Sequence, residues 1–168
     1  MQLDAGEVRL PPPAWVGVIV KDREKSIEYF SAVFGIGTWE TFEYYPEKDD
    51  MMAGEPFGVK VAYGDLGSGL RLQLLEPIKG NGCHMRFLKK HGEGLFCIAY
   101  QVSNFDEMAS RMQEHGGRVL EGGRFHGLRW CYVETEPDGI LIEFEEKLKK
   151  VEPIIIKETH YHTRSLAK

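Results

Sequence analysis

The chain has few cysteines for its length and no paired cysteine motif. Three occur in 168 residues, and no two of them form a C-x-x-C pair. An odd count without such pairs does not indicate a disulfide framework. We therefore interpret Cys83, Cys97 and Cys131 as reduced thiols, and a free cysteine most often packs as a small buried hydrophobic residue.

Long apolar runs and an excess of positive charge are also missing. No stretch approaches the roughly 20 apolar residues of a membrane helix, and the N-terminal sequence is too polar for a signal peptide. The formal net charge is -5, so no basic stripe is available to bind a phosphate backbone. We expect a cytoplasmic protein whose partners include neither membranes nor nucleic acids.

What the chain does have is an internal duplication. The run WVGVIVKD at 15–22 recurs 82 residues later as CIAYQVSN at 97–104, each a β-rich stretch that ends in a helix N-cap candidate. The helix after Asp22 is expected to bury one stripe and to end at a glycine, and so is the helix after Asn104. The stripe of the first helix is Ile27, Phe30, Val33 and Phe34.

Each copy ends in an apolar strand that contains one polar position. LRLQLLEP at 70–77 corresponds to ILIEFEEK at 140–147, which pairs Gln73 with Glu143 at an offset of 70 residues. The first copy is therefore longer by twelve residues. We place the extra residues in the acidic stretch 44–56, whose proline and glycine content indicates a loop.

Strand and turn signals give each copy the order βαβββ. We predict an α+β fold: two tandem βαβββ modules that form a cupped, partly open mixed β-sheet with helices outside. The predicted parts are an N-terminal extension 1–13, a first module 14–82, a linker helix 83–93, a second module 94–147 and a C-terminal arm 148–168. The predicted strands are 14–20, 37–45, 57–64, 69–76, 95–102, 118–124, 128–134 and 139–146, and the module helices are 22–34 and 104–115.

Alternation along the strands predicts which side chains face the cup. Leu70, Leu72 and Leu74 lie on one side of their strand, so Gln73 lies on the other. The same sorting places Glu143 on the concave face of the last strand. Together with the equivalent positions Trp15 and Cys97 on the opening strands, these residues define a pseudo-symmetric site.

Three segments carry a family resemblance: WVGVIVKDREKSIEYFSAVFGIGTW, HMRFLKKHGEGLFCIAYQV and VLEGGRFHGLRWCYVETEPDGILIEFEE. Over residues 14–146 the chain resembles the vicinal oxygen chelate (VOC) superfamily, which contains glyoxalase I, methylmalonyl-CoA epimerase, bleomycin-resistance proteins and extradiol dioxygenases. The epimerase and glyoxalase branch is the most similar.

The resemblance implies a divalent metal in the cup, held by His, Glu or Gln, His, and Glu from four strands. Gln73 and Glu143 match two of these positions, whereas Trp15 and Cys97 stand where the family has histidine. An indole offers only an N–H donor and its bulk fills space that the ion would need. We therefore expect no metal cofactor here; a remnant site of Gln73, Cys97 and Glu143 is the alternative.

Each candidate site residue has a functional and a structural interpretation. Burial would raise the pKa of Glu143 and make it a general base beside a carbonyl, or the residue is simply inherited and hydrogen-bonded. Gln73 would orient a substrate oxygen, or only hydrogen-bond. The residues predicted to contact a ligand are Trp15, Cys97, Arg71 and Trp130.

Three functions follow from these alternatives. The first is a metal-independent proton-transfer enzyme, an isomerase or lyase, that holds a small carbonyl compound or acyl thioester in the cup. The second is a protein of the bleomycin-resistance type that binds a drug or metabolite without chemistry, using Trp15, Tyr44, Tyr45 and Trp130 for stacking. The third is a metal-dependent enzyme with unusual ligands.

The remaining signals lie at the C-terminus and in the other histidines. His160 and His162 form an H-x-H pair that would point to one side of a strand and could bind metal. The arm also carries Ile154–Ile156, and the resemblance implies a homodimer that such an arm could clasp. We interpret His84, His91, His115 and His126 as surface residues.

Overall fold

The structure, a computed structural model, describes residues 10–135, 139–148 and 157–160. Within these ranges one mixed sheet of ten strands runs in the order β10-β2-β4-β5-β1-β6-β9-β8-β7-β3. The elements are β1 Trp15–Ile19, α1 Arg23–Phe34, β2 Thr38–Tyr44, β3 Met51–Ala53, β4 Gly58–Asp65, β5 Arg71–Lys79, α2 Cys83–His91, β6 Gly94–Gln101, α3 Phe105–Glu114, β7 Arg118–Phe125, β8 Leu128–Glu134, β9 Leu141–Lys147 and β10 Lys157–His160.

The strand registers reproduce the duplication seen in the sequence. In the first half β1 runs parallel to β5 and pairs Gly17 with Gln73; in the second, β6 runs parallel to β9 and pairs Ala99 with Glu143. Gly17 and Ala99 are 82 residues apart, and Gln73 and Glu143 are 70 apart, which are the two offsets of the repeat. The halves join through the antiparallel pair β1 and β6. The predicted α+β fold class is confirmed.

Helices α1 and α3 cover the outer face of the sheet. The Asp22 side chain accepts a hydrogen bond from Lys25 N at 3.1 Å and caps α1. At its other end, Gly35 takes the left-handed conformation that favours glycine. The predicted stripe of α1 is wrong in its last turn, because Val33 and Phe34 are 54% and 56% exposed.

Helix α2 packs on the opposite, concave side. Cys83 shares a core cluster with Leu75 and Tyr132, which point into the cup from two different strands. The first backbone N–H of the helix, that of Cys83, donates to the Glu121 carboxylate of β7 at 3.0 Å. Glu121 thus provides an acceptor for one of the N–H groups at the start of the helix, which have no partner within the helix.

The stretch 44–56, predicted to be a loop, contains a short strand that crosses to the far edge of the sheet. Its strand β3 pairs with β7, antiparallel, instead of with its own module. Near the start of this crossing, Tyr44 Oη donates to the carbonyl of Arg124 at 3.0 Å, and the Phe42 and Phe125 rings stack with centroids 5.3 Å apart. Side chains of β2 and β7, which lie near opposite edges of the sheet, therefore contact each other.

Strand β10 extends the other edge of the sheet. It pairs antiparallel with β2, so that His160 lies opposite Thr38 in the register. The predictions made for Ile154–Ile156 and His162 fall outside the described residues. No helix in the described part of the chain is long and apolar enough to cross a membrane.

Candidate functional site

The concave face of the sheet encloses a cavity of about 240 Å³. Five of the six residues predicted for the site line it, and these are Trp15, Arg71, Gln73, Trp130 and Glu143. The sixth, Cys97, is fully buried and lies behind the cavity wall, with its thiol against Glu143. Both modules therefore contribute to one cavity.

Glu143 is the acidic group of the inner wall and is held by two donors. The Trp15 Nε1–H donates to Glu143 Oε2 at 2.9 Å, and the Cys97 thiol donates to the same oxygen at 3.6 Å. The side chain is only 4% exposed. Trp15 and Cys97, at the two positions where the sequence resemblance implies histidine, thus both contact the Glu143 carboxyl group.

Burial, and after it the charge of Glu145 two residues along the strand, raise the pKa of Glu143 to about 8. The hydrogen bonds from Trp15 and Cys97 act in the opposite direction, because they stabilise the carboxylate. The effect of desolvation on the pKa is the larger one, because both hydrogen-bond donors are neutral. The carboxyl group therefore exchanges a proton near neutral pH, which is the range a general acid or base needs.

Gln73, the equivalent residue of the first module, is bonded to a tyrosine that sequence reasoning missed. Its Nε2 donates to Tyr63 Oη at 2.6 Å, while its buried Oε1 has no hydrogen-bond partner among the described residues. The Arg71 guanidinium lies 4.5 Å from the Tyr63 ring centroid and forms an ion pair with Glu40 at 2.7 Å. Tyr63 lies directly opposite Gln73 in the β4–β5 register, a pairing that the structure reveals.

Aromatic side chains make up much of the cavity wall. Trp130 Nε1 donates to Tyr44 Oη at 3.1 Å, which fixes both rings at the closed side of the cup. Burial raises the pKa of Tyr44 to about 12, so its hydroxyl stays protonated. The aromatic residues that line the cavity are Trp15, Phe42, Tyr44, Phe57, Tyr63, Phe125, Trp130 and Tyr132.

His84 was predicted to lie on the surface, and this prediction is wrong. It is 3% exposed and lines the cavity, with Nε2 3.0 Å from Tyr132 Oη. Burial lowers the pKa of His84 to about 3, so the ring is neutral. Sequence reasoning placed it at a helix end, where side chains are usually exposed, but α2 packs inside the cup.

The donors at the position where the resemblance implies a metal do not fit a metal ion. Trp15 contributes an N–H group that has no lone pair to offer, and it is already bonded to the Glu143 oxygen that a metal would need. Cys97 lies behind the cavity wall, and its thiol donates to that same Oε2 at 3.6 Å. Among the residues that the structure describes, no three ligand atoms of His, Cys, Asp or Glu come together at this position.

The fold and this cavity define a class of protein, and comparison with known families confirms it. Residues 15–132 match the family described as glyoxalase/bleomycin resistance protein/dioxygenase superfamily. The chain belongs to this superfamily, as its sequence resemblance indicated.

Among solved structures the chain is similar to methylmalonyl-CoA epimerases. One, in complex with methylmalonyl-CoA and NH4+, is 26% identical with a TM-score of 0.61, over 86% of this chain and 100% of that chain. A variant of the Streptomyces coelicolor enzyme in complex with 2-nitronate-propionyl-CoA is 26% identical with a TM-score of 0.60, over 83% and 99%. The Mycobacterium tuberculosis enzyme, 24% identical over 83% and 93% with a TM-score of 0.58, supports the fold alone. No curated protein matches the chain.

Proposed function

We propose that this protein binds a small carbonyl compound or the acyl end of a thioester in the cup and transfers a proton next to the carbonyl through Glu143. The observation that carries the proposal is the setting of Glu143. It is a buried carboxyl group at a cavity wall, with a pKa of about 8 and two fixed donors on one oxygen. A carboxyl group in such a setting is typical of general acid–base sites.

The two donors leave a defined path for the proton. Both bonds end on Oε2, so Oε1 is the oxygen that takes the substrate proton. With a pKa of about 8, roughly a tenth of the molecules carry the carboxylate at pH 7. The base form takes a proton from the carbon next to the carbonyl, and the electron pair moves to the carbonyl oxygen. Return of a proton to the same face of that carbon gives exchange with solvent, and return to the opposite face, after the planar enolate turns over in the cup, completes an epimerisation.

The developing oxygen charge needs a donor, and the pair of Gln73 and Tyr63 supplies it. As placed, Gln73 N–H donates to Tyr63 Oη, which leaves the tyrosine O–H free to donate to a ligand oxygen. Turning the amide over would put an N–H group at the buried position that Oε1 occupies beside Gly17, so the orientation as placed is the one that gives the cavity a donor, the Tyr63 hydroxyl. A preorganised donor in a site that excludes water stabilises an enolate better than water does.

The size and charge of the cup limit the substrate. A cavity of about 240 Å³ holds a short acyl or aromatic group and not an entire coenzyme thioester. Arg71 and Lys147 also line the cavity, together with Glu40 and Glu145. A substrate with a carboxylate would contact Arg71, although Glu40 competes for that guanidinium.

The aromatic wall favours a second candidate, a protein that binds a planar drug or metabolite without chemistry. Trp130 and Tyr44 are fixed by their mutual hydrogen bond and present rigid rings to the cavity. The two candidates share a ligand site and differ only in what Glu143 does. A metal-dependent reaction at the family position is not supported, because the donors there do not fit an ion.

Exchange of carbon-bound protons in deuterated water tests the proposal. Purified protein is incubated with a panel of short 2-oxo acids and short acyl thioesters, and NMR records the loss of the proton next to the carbonyl. We expect exchange with at least one compound class, and we expect Glu143→Gln to abolish it while binding persists. Binding without exchange in the unmodified protein would instead support the second candidate.

A further inference from the structure

A second group of buried side chains with metal-binding chemistry lies at the floor of the cup, away from the family's metal position. Cys83 and His84 open α2, and Glu121 faces them from β7. All three are buried, and each offers one ligand atom within 4.8 Å of the other two. We propose that Cys83, His84 and Glu121 bind a divalent transition metal ion of the zinc type.

The charges of this group match such an ion. Glu121 is completely buried, and its Oε2 accepts the Cys83 thiol proton at 2.9 Å. A divalent cation that replaces this proton is neutralised by one thiolate and one carboxylate, with imidazole as a neutral third ligand. Sulfur, nitrogen and oxygen ligands together are the chemistry that zinc accepts in proteins.

The hydrogen bonding of the His84 ring is an independent indication that a metal ion binds here. Its Nε2 is bonded to Tyr132 Oη, whereas its buried Nδ1 has no hydrogen-bond partner among the described residues. A metal-bound histidine usually donates its other ring N–H to a neighbouring group, which fixes the tautomer that leaves a lone pair for the metal. Tyr132 is placed to be that neighbour.

The geometry requires only a small adjustment. Tetrahedral bonds of about 2.3 Å to sulfur and 2.0 Å to oxygen separate the two ligand atoms by about 3.5 Å, so Sγ and Oε2 must move apart from 2.9 Å. Glu121 Oε1 keeps its bond from Cys83 N during this change. Because His84 lines the cavity, a water or ligand oxygen from the cup can take the fourth position.

A cobalt titration tests the site. Full-length protein without a histidine tag is stripped with a chelator and titrated with Co²⁺, and a cysteine ligand produces a thiolate-to-cobalt charge-transfer band in the near ultraviolet. We expect one equivalent to bind, zinc to displace it, and the band to disappear in Cys83→Ser. Cys131→Ser, which removes another buried thiol, should keep the band. Tyr132→Phe should weaken cobalt binding about 10- to 100-fold, as loss of a ligand's supporting hydrogen bond does.

Two results overturn the proposal. The first is the absence of a charge-transfer band in the unmodified protein, which requires no variant to fold. The second is a band that survives in Cys83→Ser or is lost in Glu143→Gln, because either would place the ion at the family position. Circular dichroism of each variant confirms that the comparison is made on folded protein.

Discussion

Two buried glutamates in this molecule each accept a hydrogen bond from a cysteine thiol, Glu143 from Cys97 and Glu121 from Cys83. Their other donors differ. Glu143 also receives an indole N–H and opens onto the cavity, whereas Glu121 receives a backbone N–H and is completely buried. One oxygen of Glu121 caps α2, so this carboxyl group supports the fold as well as the proposed metal site. Glu143 is bonded only to side chains at the cavity wall and is available to a ligand in the cup.

Burial raises the pKa of both carboxyl groups, so their titration does not distinguish them. The groups that surround the two carboxyl groups do distinguish them. Removing the Glu121 side chain leaves the first N–H of α2 without its acceptor, while removing that of Glu143 leaves the backbone untouched. We therefore expect changes at Glu143 to affect chemistry and changes at Glu121 to affect the free energy of unfolding.

The largest expected effect is on proton exchange. Glu143→Gln keeps the size of the side chain and an acceptor for Trp15, but it cannot take a proton, so the exchange rate with an active carbonyl compound should fall about 10²- to 10⁴-fold. NMR in deuterated water measures the rate. Glu107→Gln, on the exposed face of α3, is the matched control and should leave the rate unchanged. A rate in Glu143→Gln equal to that of the unmodified protein would remove Glu143 from the mechanism.

The next effect is on the pH dependence of stability. The pKa of Glu143 is about 8 in the folded protein and 4.5 as its ordinary value. A raised pKa means that the folded state favours the protonated form, so the stability it contributes is full below pH 4.5 and is lost as the pH rises through 8. From pH 5 to pH 9 the unmodified protein should lose roughly 2–5 kcal/mol relative to Glu143→Gln. Urea unfolding of both proteins at the two pH values measures this difference. Equal losses of stability in the two proteins between pH 5 and pH 9 would show that the carboxyl group of the folded protein is already ionised at pH 5.

The third effect is on the free energy of unfolding when the Glu121 carboxyl group is removed. Glu121→Ala leaves the N–H of Cys83 and its thiol without an acceptor and opens a cavity, so the free energy of unfolding should fall by about 2–4 kcal/mol. Glu28→Ala, at an exposed position in the middle of α1, should change it by less than about 0.5 kcal/mol. Urea denaturation at pH 7 compares the two. A neutral result for Glu121→Ala would mean that water replaces the carboxylate as the helix cap.

The smallest effect concerns the glycine beside the first site. A Cβ at Gly17 would lie 2.5 Å from Cys97 Sγ and 3.0 Å from Gln73 Oε1, both side-chain atoms that can shift. Gly17→Ala should therefore cost about 1–3 kcal/mol of unfolding free energy. Adding Cys97→Ala should recover part of the loss, since it removes the closer atom. A double-mutant cycle measured by thermal unfolding gives the coupling, and purely additive costs would contradict this packing.

The order of the module elements could be predicted from the sequence because the duplication presents the pattern of each strand and helix twice. The β1–β5 and β6–β9 registers fall on the repeat offsets, so Gln73 and Glu143 occupy equivalent positions, as the sequence comparison proposed. Strand β3 was missed because three residues are too few for an alternating pattern, and their pairing partner lies in the other module.

Alternation along a strand predicted the direction of three of the side chains that line the cavity, and the repeat supplied Trp15. Arg71, Gln73 and Glu143 lie on strands whose apolar residues mark the opposite face. His84 was misplaced because α2 packs inside the cup, which no local pattern of charge or hydrophobicity indicates. Dimer formation and the role of the C-terminal histidines stay predictions.

The residue pattern alone indicated the duplicated βαβββ fold and the superfamily, and the resemblance predicts that Trp15 and Cys97 replace two metal-ligand histidines. Only the tertiary structure decided that both replacements donate to Glu143, that Tyr63 is bonded to Gln73, and that Cys83, His84 and Glu121 meet at the floor of the cup. The reason is physical: periodicity sets which face of an element a side chain occupies, but contacts between side chains distant along the chain depend on how the sheet curls. The burial that raises the pKa of Glu143 comes from that curl and from no residue near it in sequence.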